Sequence, residues 1–133
     1  LDHISYQVNP AQIHQAFPSK QAKEDFLWEL ARSELLAKYQ RLESDEVIAQ
    51  FQRMVLLKAI DENWVEQVDY LQQLRVALSG QYASQKNPLV EFYQEASLSF
   101  DRMKALAKEQ MVRNLLLSRV EINTKGEIVL YFP

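Results

Sequence analysis

The chain has no cysteine. That excludes a disulfide framework and any cysteine-ligated metal centre, and it fits a reducing compartment. Turn formers are scarce as well, with two glycines and four prolines in 133 residues. So few of them argue against a sheet-rich fold with many tight turns, and against a disordered tail. Long helices tolerate this composition best. No apolar run reaches the roughly 18 residues that suggest a membrane span. The start lacks the basic-then-apolar pattern of a signal peptide. It begins at Leu1 rather than Met, so we expect a piece of a longer protein. A basic excess is also missing. Net charge is -3, and acids and bases alternate along the expected helices as on solvated faces, so nucleic acid is not expected as a partner.

What is present is helical periodicity. Ser19 is a suitable N-cap, and Leu27, Leu30, Ala31, Leu35, Tyr39 and Leu42 follow at helical spacing until about Glu43. Glu34 and Lys38 suit an i,i+4 surface pair. Ser44 then caps a second helix, with Asp45 and Glu46 at its positive end. This one contains no glycine or proline until Ser79-Gly80, and Val47, Phe51, Met54, Val55, Trp64, Val68, Leu71 and Leu78 mark its apolar side. A connector follows. Asn87-Pro88 starts a third long helix, with Asn as N-cap and Pro at the first helical position. Its stripe is Leu89, Phe92, Tyr93, Ala96, Phe100, Met103, Leu106, Met111 and Leu115. Two long striped helices joined by a short connector imply an antiparallel hairpin. Short strands are expected at the termini, over residues 1–8, at Val120 to Ile122 and at Glu127 to Phe132, with a turn at Asn123-Thr124-Lys125-Gly126 and a short helical turn near Gln12 to Phe17. The fold class is mostly α.

Catalytic signatures do not emerge. His3 and His14 are not at metal-ligand spacing, and no phosphate-cradling glycine loop or nucleophile elbow occurs. Asp61, Glu62 and Glu66 cluster, but a solvated helix face explains them and no histidine lies in the long helices to complete a carboxylate metal site. The chain is therefore expected to hold no catalytic site, metal or cofactor. Trp28 and Trp64 read most simply as packing anchors, with a contact surface as the alternative. The connector offers Tyr82 among polar, uncharged neighbours.

Ile60-Asp61-Glu62-Asn63-Trp64, then Glu66-Gln67-Val68, Leu71 and Leu74-Arg75, resemble a stretch of the SecA family of ATP-driven preprotein export motors. The family pattern there is Ile/Leu-Asp-x-x-Trp-x-x-His-Leu, then Met-Asp-x-Leu-Arg. Gln85-Lys86-Asn87-Pro88, with Glu91 and Phe92, resembles the family's Gln-Lys-Asp-Pro run. The likeness covers residues 46–117 at fixed spacing. Gln67 stands where the family has His, Gln72 where it has Asp, and Ala77 where it has Gly. The family's tip tyrosine aligns without gaps to Ala83, whereas Tyr82 lies one position earlier; either is a candidate for the role. The ending Gly126 to Pro133 and the run Ser79 to Gln85 look like the accessory SecA branch of streptococci and related Gram-positive bacteria.

The resemblance implies several expectations. Residues 1–43 would belong to the helical wing domain, 44–119 to the helical scaffold with its two-helix finger, and 120–133 to a C-terminal β-hairpin or tail. Gln81, Tyr82, Ala83, Gln85 and Lys86 would contact the translocating preprotein and the membrane protein-conducting channel. Trp64, Gln67 and Arg75 would pack between domains, against the nucleotide-binding domains of the parent chain, which would carry ATP and Mg. The parent would be cytoplasmic and peripheral at the inner face of the cell membrane, exporting serine-rich glycoprotein adhesins. A helical adaptor docking a protein partner, without a motor, is the alternative.

Overall fold

The computed structural model describes residues 8–17, 19–80 and 87–133. The expected N-terminal strand, Pro18 and the connector residues 81–86 lie outside these. In chain order the elements are α1 (Pro10–Ala16), α2 (Lys20–Leu42), α3 (Asp45–Ser79), α4 (Pro88–Leu117), β1 (Arg119–Ile122) and β2 (Ile128–Tyr131). The fold is mostly α, as expected, with two long packed helices and a two-stranded antiparallel sheet at the end.

The helix boundaries follow from capping chemistry. Asn9 caps α1 by accepting from Ala11 N–H at 3.0 Å, so Asn9-Pro10 opens a helix. Ser19 Oγ accepts from Ala22 N–H at 3.1 Å and starts α2. That helix stops because Glu43 turns left-handed, with φ 59, and Ser44 N–H then bonds to the Leu42 carbonyl at 2.8 Å. Asn87 Oδ1 accepts from Leu89 N–H at 3.1 Å, with Pro88 as the first residue of α4. Each side-chain oxygen satisfies a backbone donor that the first helical turn leaves without a partner.

The chain divides into two compact units, residues 1–56 with 111–133, and residues 57–110. The first holds the apolar core. Leu42, Phe51 and Val55 are buried, with Tyr39, Val47, Ile48, Leu115, Val120 and Leu130 packed around them. The Tyr39 and Phe51 rings meet edge to face at 6.5 Å, and Tyr39 OH accepts from Gln52 Nε2 at 2.8 Å. In the same unit Phe17 stacks on Phe26 at 4.8 Å, fixing the end of α1 on α2.

β1 and β2 pair in the register Val120↔Leu130 and Ile122↔Ile128. Gly126, at φ 78, makes the turn between them, and Asn123 Oδ1 accepts from the backbone N–H of Lys125 and Glu127. A two-stranded ribbon is marginal alone. This one gains stability by placing Val120 and Leu130 on the core, while the Arg119 guanidinium lies 4.5 Å over the Tyr131 ring.

The second unit corrects the expected apolar stripes. Trp64 is 51% exposed and Trp28, in the first unit, 76% exposed, so neither is a packing anchor. Val68, Leu89, Tyr93, Phe100 and Leu106 are exposed too. The expected stripe of α3 is buried at Phe51, Val55 and Leu78 but turned outward at Trp64 and Val68, and that of α4 is turned outward at Leu89, Tyr93, Phe100 and Leu106.

These burial differences set the stability expected of single changes. Phe51 is fully buried, so Phe51→Ala should cost about 3 to 5 kcal/mol. Trp64→Ala in the same chain should cost about 1 kcal/mol or less, as for a surface position. Urea unfolding of the two variants beside the parent chain measures both.

Candidate functional site

Helix α3 turns a four-residue repeat into the hairpin. Ala59, Asn63 and Gln67 succeed one another on one side and all are buried. From α4, Ser99 and Ala107 are buried. The seam between them is made by side-chain amides. Gln67 Nε2 donates to Ser99 Oγ at 2.8 Å. Asn63 Nδ2 donates to Gln110 Oε1 at 2.6 Å and to the Ala59 carbonyl at 2.7 Å. Gln110 Nε2 in turn donates to Glu62 Oε2 at 2.9 Å, and Glu62 is paired with Lys58 at 2.7 Å. The partners run in opposite sequence directions, Glu62 and Asn63 to Gln110 and Gln67 to Ser99, so the two helices are antiparallel.

Leu57, Ile60, Trp64 and Val68 recur at three- and four-residue steps and form a second stripe on α3. Each of the last three is one residue on from Ala59, Asn63 or Gln67, a turn of about 100° around the helix. All four are exposed. Along α4, Leu89, Tyr93 and Phe100 form a comparable exposed row, with the Lys104 ammonium 5.0 Å from the Phe100 ring centre. These large apolar side chains are grouped outside the hairpin rather than scattered, and form a continuous exposed apolar surface.

Of the residues expected to pack between domains, Trp64 lies on this exposed stripe. Gln67 is turned the other way, into the seam. Arg75 is exposed, beside a hollow of about 340 Å³ that it lines with Leu78, Ser79, Pro88, Leu89 and Phe92. Gln81, Tyr82, Ala83, Gln85 and Lys86 lie outside the described residues. Among the described residues no group of His, Asp or Glu is arranged to hold a metal ion, and no helix is long and apolar enough to cross a membrane. Asp61 and Glu66 are exposed, in keeping with a solvated face.

Sequence reasoning missed one residue in the first unit. Lys38 does not lie on the surface; it is buried. Its ammonium donates to the carbonyls of Leu115, Leu116 and Ser118 at 2.7, 2.9 and 2.8 Å. Three protons meet three acceptors, at the end of α4 where backbone carbonyls have no partner in the helix. The negative end of the helix dipole favours the charge there. Burial pushes the Lys38 ammonium down to about 8, with Arg41 adding to the depression and Glu34 opposing it, so it remains protonated at pH 7. The nitrogen also sits 5.6 Å from the centre of the Phe51 ring. No motif announces this arrangement, because its partners are backbone atoms nearly 80 residues away.

The chain belongs to the SecA wing and scaffold family, whose model matches residues 3–119. It is 52% identical over its full length to the protein translocase subunit SecA 2 of Streptococcus sanguinis (strain SK36) and 53% identical to that of Streptococcus gordonii. It is 34% identical, over 98% of its length, to the protein translocase subunit SecA 2 of Staphylococcus aureus (strain Newman). The chain spans 17% of the length of the two streptococcal relatives and 16% of the staphylococcal one. No solved structure matches it.

Replacing Lys38 with Met keeps the apolar stem and removes the three donors. Lys38→Met should therefore cost about 2 to 3 kcal/mol, the order expected for stranding buried carbonyl oxygens. Amide exchange at the end of α4 and in β1 should rise with it. A thermal midpoint unchanged from the parent chain would show that water caps the helix as well as lysine does.

Proposed function

We propose that this chain is the wing and scaffold portion of an accessory SecA-type protein-export motor. The observation that carries the reading is the match along the whole chain, at 52% and 53% identity, to translocase subunits named SecA 2. In this reading residues 1–43 belong to the wing, 44–119 to the scaffold with its finger, and 120–133 form a closing β-hairpin. The exposed row of Leu57, Ile60, Trp64 and Val68, together with Arg75, is covered by the nucleotide-binding domains of the parent chain. Those domains bind ATP and Mg and drive transport of the preprotein through a membrane channel. The parent works in the cytoplasm at the inner face of the cell membrane, and its cargo is serine-rich glycoprotein adhesins.

The chemistry of the finger suits such a task. Ser79, Gln81, Ser84 and Gln85 are polar and uncharged, and Lys86 is the one charge in the run. Neutral polar groups with one aromatic ring touch many chain sequences without selecting strongly by charge. Tyr82 is the residue we assign to substrate contact, with Ala83 as its neighbour in that role.

Two measurements test this. The isolated chain should neither bind nor hydrolyse ATP, because it has no glycine-rich loop to cradle phosphates; turnover above a buffer blank by protein free of contaminating ATPase would contradict it. In the full-length protein, Tyr82→Ala should lower export of the adhesin substrate while basal ATPase stays near the parent value. Unimpaired export would remove the finger from substrate contact. An open reading frame with no phosphate-loop ATPase upstream of this segment would replace the motor by a helical adaptor.

A further inference from the structure

The two units are held by different chemistry. Around Phe51 and Val55 the contact is large and apolar. Between residues 57 and 110 the buried apolar side chains, among the described residues, are Ala59, Leu78 and Ala107. Two of those are single methyl groups, and Leu78 sits at the end of α3. Leu71, Leu74, Phe92 and Met103 are only partly covered. Asn63, Gln67 and Ser99 fill the places between the helices that large apolar groups would otherwise take. Beside them runs an open groove of about 320 Å³, lined in part by Asn63, Gln67, Tyr70, Ser99 and Met103.

A neutral hydrogen bond contributes little net stability, because water satisfies the same groups once the contact opens. A buried Leu or Phe contributes through area removed from water, and nothing replaces that on opening. The Gln67–Ser99 and Asn63–Gln110 pairs therefore hold the helices together weakly, and they lose little when solvent enters. The open groove is lined by both partners of the Gln67–Ser99 pair and by Asn63 of the other pair. Large side chains that would resist separation, Trp64, Val68, Tyr93 and Phe100, lie outside the seam.

We infer that the α3–α4 contact within residues 57–110 is an opening joint: the two helices separate there at low free energy while the core around Phe51 stays closed. Local opening of this kind is drawn from parts of a fold with few buried apolar contacts. The amides give the closed form one defined pairing, and their solubility makes the open form tolerable. This inference does not depend on the export reading.

The absence of cysteine provides a direct test in the 133-residue chain. Val55 and Ala59 are one turn apart on the same side of α3 and both are fully buried, one in each unit. Single variants Val55→Cys and Ala59→Cys are exposed to an aromatic disulfide reagent under native conditions. Ala59→Cys should react about tenfold faster or more, because its local opening is easier. Adding Gln67→Leu with Ser99→Ala, which makes the seam apolar, should slow the Ala59→Cys reaction about fivefold and leave Val55→Cys unchanged. Hydrogen exchange on the unsubstituted chain provides a second reading, free of any folding defect in the variants. Helical amides of 60–77 and 90–107 should exchange faster than those of 48–55 and 111–116. Equal thiol rates at the two sites, no effect of the apolar seam, or uniform exchange protection would each overturn the proposal.

Discussion

The Lys38 ammonium joins three elements that also meet in the apolar core, α2, α4 and the start of β1. It leaves α2, reaches the last carbonyls of α4, and touches the first residue before β1. A helix end buried without partners is costly, because each free carbonyl oxygen has lost its water. Lys38 removes that cost in one step, and its charge is tolerated because three oxygens and the helix dipole surround it. Once the end of α4 is held against α2, the backbone turns into β1 beside the core. Val120 and Leu130 can then cover Leu42, Phe51 and Val55. The same cation thus ties the helix end to the place where the β-ribbon meets the core.

The second unit obeys a different constraint. Its inside is polar and small, and much of its apolar surface is outside. An isolated hairpin gains little from that arrangement, since apolar groups in water contribute nothing to folding. In the proposed reading the hairpin uses it as part of a larger protein, where the outward rows are covered by other domains. Within that proposal, Trp64 would be one of the side chains the neighbouring domains cover.

Much of this was legible from residue order. Ser19, Asn87-Pro88 and the absence of glycine or proline through α3 placed the long helices to within a residue or two, because caps and breakers act locally. Asn123 and Gly126 marked the terminal ribbon for the same reason. The motif from Ile60 to Arg75, with the spacing to Gln85-Lys86-Asn87-Pro88, pointed to the SecA family before any fold was known. Periodicity failed at Trp64, Val68, Tyr93 and Phe100. It reports that a helix has an apolar side, and it is silent on whether a neighbouring helix or an absent domain covers that side.

Sequence alone determined where helices start and stop, that two of them pair, and which family the chain joins. Those depend on near neighbours in the chain and on residue identity at set intervals. Only the tertiary structure decided that Asn63, Gln67 and Ser99 form the hairpin seam, that Trp64 faces out, and that Lys38 is buried against three carbonyls. Each of these is set by atoms far away in sequence, and in the case of Lys38 by backbone oxygens that every residue carries alike. No pattern of side chains can encode a partner that has no side-chain identity.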